Sequence, residues 1–173
     1  MSTKFFNNGL GNTLFDKLKG IASEMATFDR FLAVVGFFRS SGYFKLRKEL
    51  GDISEIKILV GINIDDIFRK HNKALLMLAD EEKAKEIYHN GFKEDIVNAQ
   101  YSPEVEEGIL QMCEDLVSGR LQMRIHATKN LHAKFYLCLP QNHSEHSDGW
   151  VIMGSSNISD SGLGIKQPPQ YEL

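Results

Sequence analysis

The chain alternates between short continuous apolar runs and longer segments with helical spacing. Leu14, Leu18, Ile21, Ala22 and Met25 recur at helical intervals behind Asn12 and Thr13, either of which can cap. This predicts a helix from Asn12 or Thr13 to about Ala26. The run Phe31-Leu32-Ala33-Val34-Val35-Gly36-Phe37-Phe38 predicts a strand covered on both faces. Arg39-Ser40-Ser41-Gly42 turns the chain into a helix over about Tyr43 to Leu50, stopped by Gly51-Asp52, and Ile56 to Gly61 is a second strand. Strand, helix, strand in that order implies a parallel βαβ unit.

The stretch from about Asp65 to Ser118 is expected to be helical, broken at Asn90-Gly91 and restarted at Ser102-Pro103-Glu104. Three strands follow, at Leu121 to Ile125, Leu131 to Leu139 and Trp150 to Met153, with a polar loop from Pro140 to Gly149 between the last two. The expected fold is α/β, a mixed but largely parallel sheet flanked by helices on both faces, in a single domain over residues 1–173.

Composition changes this picture little. The chain is 42% hydrophobic and 25% charged, as an ordinary globular domain is. It has no apolar run near 18 residues, so no membrane span is expected. The N-terminus becomes polar too soon for a signal peptide. Cys113 and Cys138 stand far apart and suggest no disulfide framework, which fits a reducing, cytoplasmic location. A net charge of −3 argues against a wholly basic nucleic-acid coat but leaves room for a local basic groove. The chain stops at Gln170-Tyr171-Glu172-Leu173 and reads as a piece of something longer.

Two polar groups interrupt apolar strands near the C-terminus. In a strand, His132 and Lys134 would share a face, and a buried imidazole beside a buried ammonium is costly unless function requires it. Neutral imidazole can attack phosphorus, and an ammonium can hold a phosphoryl oxygen. Gly154-Ser155-Ser156-Asn157 directly follows Val151-Ile152-Met153, and small hydroxyls and an amide after glycine suit close approach of an anion. Taken singly, the first group also fits the polar face of a surface strand, and the second a plain turn or cap.

Together they resemble the phospholipase D signature: His, any residue, Lys, four residues, Asp, six residues, then Gly-Ser-any-Asn. His132, Lys134, Gly154, Ser155 and Asn157 fit. Leu139 stands where the signature has Asp. Asp148, with five residues rather than six before Gly154, is its counterpart if the loop from Pro140 to Ser147 is an insertion. The upstream text looks like the phospholipase D-like domain of some bacterial helicases, with relatives among restriction endonucleases.

The resemblance implies a DNA phosphodiesterase or nuclease working through a phosphohistidine on His132. Lys134, Ser155 and Asn157 would bind phosphate, and Glu172 would be the glutamate that reaches the site. No cofactor or metal is implied. One copy of the motif implies a homodimer, with two His132 residues supplying nucleophile and general acid. A non-catalytic nucleic-acid-binding or dimerisation module is the alternative, and lipid hydrolysis is disfavoured.

Three weaker features complete the reading. Arg39 and Ser41, at the edge where ligands of parallel sheets bind, are candidate nucleic-acid contacts. Cys138, His143 and His146 have a spacing that matches no common zinc site and lack a fourth ligand. Tyr136 shares a face with His132 and Lys134 and could equally be packing.

Overall fold

A computed structural model describes residues 5–7, 9, 11–24, 27–64, 102–126 and 131–165. In chain order the elements are α1 (Leu14–Glu24), β1 (Phe28–Phe38), α2 (Ser40–Leu50), β2 (Glu55–Ile64), α3 (Pro103–Val117), β3 (Leu121–Ile125), β4 (Phe135–Pro140), β5 (Trp150–Met153) and α4 (Asp160–Leu163). The expected helical stretch from Asp65 to Tyr101 lies outside the described residues.

The strands form one mixed five-stranded sheet in the order β3-β2-β1-β4-β5. β1 pairs parallel with β2, and β2 parallel with β3. β4 runs antiparallel to both β1 and β5. Four strands thus share one direction and only β4 is reversed, so the α/β class and the mixed sheet are as expected.

The helices among the described residues pack on one face of the sheet. Phe31, Ala33 and Val35 of β1, Ile56, Ile58 and Val60 of β2, Leu121 of β3 and Tyr136 and Cys138 of β4 share one core with Leu14, Leu18, Leu46, Met112 and Leu163 of the four helices. In register these strand residues lie side by side on one face. Leu32 and Val34, on the other face, are only half-buried.

Local chemistry explains the helix ends. Thr13 and Asp16 satisfy each other at the start of α1: the Thr13 N–H donates to Asp16 Oδ2 at 2.9 Å, and the Asp16 N–H donates to Thr13 Oγ1 at 3.0 Å. The bonds from Thr13 hold the Asp16 carboxyl below its usual value. Ser102 caps α3 by accepting from the Val105 N–H, and Pro103 follows at the first position, as the sequence predicts.

α2 and α3 are joined by a buried ionic hub that the sequence reading did not find. Asp115, fully enclosed, accepts from Tyr43 Oη at 3.0 Å, Arg47 Nε at 2.7 Å and Arg120 Nη1 at 3.2 Å. Arg47 Nη1 also donates to the Gly51 carbonyl at 2.6 Å. Burial, reinforced by the Asp115 charge, pushes the Tyr43 hydroxyl well above its ordinary value. Above this hub Gly108 packs against Phe44 so closely that a Cβ there would lie 2.3 Å from Phe44 Cγ.

Candidate functional site

The site forms at the C-terminal end of β1, the edge where parallel sheets collect ligands. It begins with an irregularity in β1. The β1–β2 register shifts between Val35 and Phe37, so that Gly36 alone stands against two residues of β2, Gly61 and Ile62. Pairing with β4 stops one step earlier, at Val34 opposite Phe135. The Gly36 and Phe37 N–H groups both donate to Asn157 Oδ1 at 3.0 Å. A side chain therefore completes the ladder where a strand no longer does.

This corrects the expected strand from Leu131 to Leu139. β4 begins at Phe135 because β1 offers it no partner beyond Val34. His132 and Lys134 lie in the segment leading into the strand. Their environments differ: His132 is exposed and Lys134 is buried. The expected buried imidazole is thus a solvent-facing one, and a hydrogen bond rather than a shared strand face brings the pair together.

That bond fixes the chemistry of the ring. Lys134 Nζ donates to the His132 carbonyl at 2.7 Å and stands 2.7 Å from His132 Nδ1. An ammonium can only donate, so Nδ1 accepts and the neutral ring carries its proton on Nε2. In this state Nε2–H can donate to an anion. Attack on phosphorus through Nε2 requires a lone pair there, and hence release of Nδ1 by the lysine. An anion that competed for Nζ would supply that release.

Lys134 and Asn157 converge over Gly36. Lys134 Nζ and Asn157 Oδ1 each lie 3.5 Å from the point a Gly36 Cβ would occupy, and the Leu131 carbonyl lies 3.2 Å from it. The same carbonyl would stand 3.1 Å from a Cβ on Gly61. Two glycines on neighbouring strands thus admit the chain just before His132. With Oδ1 held by backbone, Asn157 presents Nδ2 as a donor.

The loop carrying Asn157 is anchored on three sides. Tyr136 Oη donates to the Ser156 carbonyl at 2.7 Å inside the core, and burial pushes this phenol above its usual range. Ile158 bridges to Phe38, and its carbonyl accepts from the Arg39 N–H at 2.8 Å. A Cβ on Gly162 would lie 2.3 Å from the Asn157 carbonyl oxygen. Gly162→Ala is therefore expected to displace Asn157, at about 1–3 kcal/mol of stability and a loss of phosphate affinity, read by thermal melting and phosphate titration. Full phosphate affinity in a folded variant would show that Asn157 does not hold the anion.

The other expected residues divide by place. Ser155 is exposed next to Gly154, whose N–H donates to the Lys134 carbonyl at 3.2 Å. Arg39 and Ser41 sit at the start of α2 on the same edge, with Arg39 half-buried and its Nη1 donating to the Phe38 carbonyl at 3.1 Å. Asp148 is not brought together with them. It precedes β5 at the end of the sheet where Cys138 faces Trp150, and lines a groove of about 890 Å³ with Glu24, Phe28, Asp29 and Trp150. Glu172 lies outside the described residues.

Cys138 is buried, and burial pushes its thiol up to about 12, whereas His143 and His146 are exposed in the loop before β5. Among the described residues, no three His, Cys, Asp or Glu side chains gather as metal ligands. No helix among them is long and apolar enough to cross a membrane.

No family model matches the chain, and no curated protein matches it. The residues the sequence reading missed are Gly36, Gly61 and Gly162, together with the Tyr136–Ser156 anchor. The signal for the first was in view: an isolated glycine inside an apolar strand run marks a bulge or a close backbone approach.

Proposed function

We propose that the chain is a phospholipase D-like phosphodiesterase domain that acts on DNA within a helicase or restriction-type protein. One observation carries the reading. Two short motifs separated by two strands and the loop between them deliver an imidazole, an ammonium and an oriented carboxamide to the C-terminal end of β1. In this proposal Lys134 Nζ and Asn157 Nδ2 hold the non-bridging oxygens, with Ser155 assisting. His132 Nε2 attacks phosphorus, the P–O bond to the leaving group breaks, and the leaving oxygen takes a proton from His132 of a second copy. That imidazole then accepts a proton from water, whose oxygen bonds to phosphorus as the P–N bond breaks and frees His132.

The test is hydrolysis of bis(p-nitrophenyl) phosphate and of DNA in EDTA by a preparation whose mass is read by light scattering. A dimer that cleaves, with His132→Ala reducing the rate by at least about 100-fold, is expected. Equal cleavage by His132→Ala removes the assignment.

A second reading is a nucleic-acid-binding or dimerisation module without catalysis. The distance of Asp148 from the site, at the far end of β5, favours it. DNA binding with no trappable phosphohistidine would decide for it.

A further inference from the structure

We propose that Phe37 is a base-stacking platform that gives the phosphate site a preference for single-stranded nucleic acid; this rests on the phosphodiester reading above. The argument starts from strand alternation. Phe31, Ala33 and Val35 point into the core, so an unbroken strand would bury residue 37 and turn residue 38 out. That alternation fails at Gly36 and Phe37, whose consecutive N–H groups turn to the same Asn157 oxygen. Phe38 becomes fully buried and Phe37 is turned outward at 42% exposure. One irregularity therefore does two things at one place: it sends two N–H groups to Asn157, and it redirects an aromatic ring from the core to solvent.

The ring belongs to the residue whose N–H grips Asn157 Oδ1 at 3.0 Å, so it emerges beside the amide that would hold the phosphate. The exposed imidazole of His132 is joined to the same place through Lys134, whose Nζ stands 2.7 Å from His132 Nδ1 and 3.5 Å from the point a Gly36 Cβ would occupy. A flat apolar ring next to a phosphate cradle matches a nucleotide unit, which couples an anionic phosphate to a stackable base. Any base offers a π-face, so such a platform is tolerant of sequence. A duplex keeps its bases stacked on each other, so only an unpaired strand can lay one on Phe37 without unpairing.

The experiment measures binding of a fluorescent 15-residue mixed-sequence oligonucleotide, single-stranded and as its duplex, to wild type, Phe37→Ala and Phe37→Trp in EDTA at fixed salt. Tungstate and vesicles of phosphatidic acid are titrated alongside. Wild type is expected to favour the single strand. Phe37→Ala is expected to lose about 5- to 100-fold of single-strand affinity and most of the preference, and Phe37→Trp to keep it with quenching of the new indole. If Phe37→Ala retains the wild-type preference while Lys134→Met loses oligonucleotide binding, the platform is wrong and the phosphate site stands. If wild type binds neither tungstate nor oligonucleotide, both fall. Binding of vesicles without oligonucleotide, lost in Phe37→Ala, would assign the ring to lipid and overturn the proposal.

Discussion

Lys134→Met is expected to lower tungstate affinity by about 10- to 150-fold, the loss of one charge-assisted hydrogen bond of about 1.5–3 kcal/mol. The same substitution changes the neighbouring ring. In the unliganded protein the ammonium 2.7 Å from Nδ1 holds the neutral His132 with its proton on Nε2. Long-range ¹⁵N–¹H spectra of wild type should show that tautomer, and those of Lys134→Met a mixture. Tungstate should also shift the wild-type pattern, because the anion draws the ammonium away. A tungstate affinity within twofold of wild type, with an unchanged histidine pattern, would remove Lys134 from both roles.

Asp115→Ala is the second large effect, and it concerns stability. The carboxylate is the common acceptor for Tyr43, Arg47 and Arg120, and its removal leaves a nearly enclosed guanidinium without its counter-charge. Breaking one partner of a buried ion pair costs about 3–5 kcal/mol. For a chain of this size that corresponds to a drop in melting temperature of roughly 6–20 °C. The hub lies among α2, α3 and the start of β3, whereas the groups proposed to bind an anion lie at the C-terminal end of β1. Differential scanning calorimetry checks the prediction; a fall under about 2 °C would show that the arginines find other partners.

Much of the sheet was legible because apolar runs bounded by polar turns define strands whatever their partners. β3 and β5 have the bounds that their sequences predict. The strands that differ do so for reasons outside their own residues. β1 starts early, at Phe28, where Arg30 pairs with Glu55 of β2 through a 2.7 Å ion pair and Phe28 lies opposite Pro140. β4 starts late because β1 stops offering it hydrogen bonds. α2 begins at Ser40, ahead of the expected Tyr43, because Ile158 fixes Arg39 just before it.

The candidate site divides in the same way. His132, Lys134 and Asn157 stand out by side-chain chemistry and spacing. Gly36, Gly61 and Gly162 act through the room they leave, and Tyr136 through a bond to a backbone carbonyl. Those roles depend on which segments meet, and a single run of letters does not carry that. Asp148 shows the converse: it is a counterpart of the signature's Asp only if the loop is an insertion, and it sits where the sheet ends away from the other groups.

The grip of two backbone N–H groups on Asn157 has a consequence for recognition. Because both donors hold the oxygen, the amide cannot rotate end for end without losing two bonds, and Nδ2 is directed by the sheet itself. If the proposed site captures an anion, part of the orientational entropy of doing so is thereby settled during folding rather than at encounter. Loosening the end of β1 would degrade ligand affinity even with every contacting side chain intact.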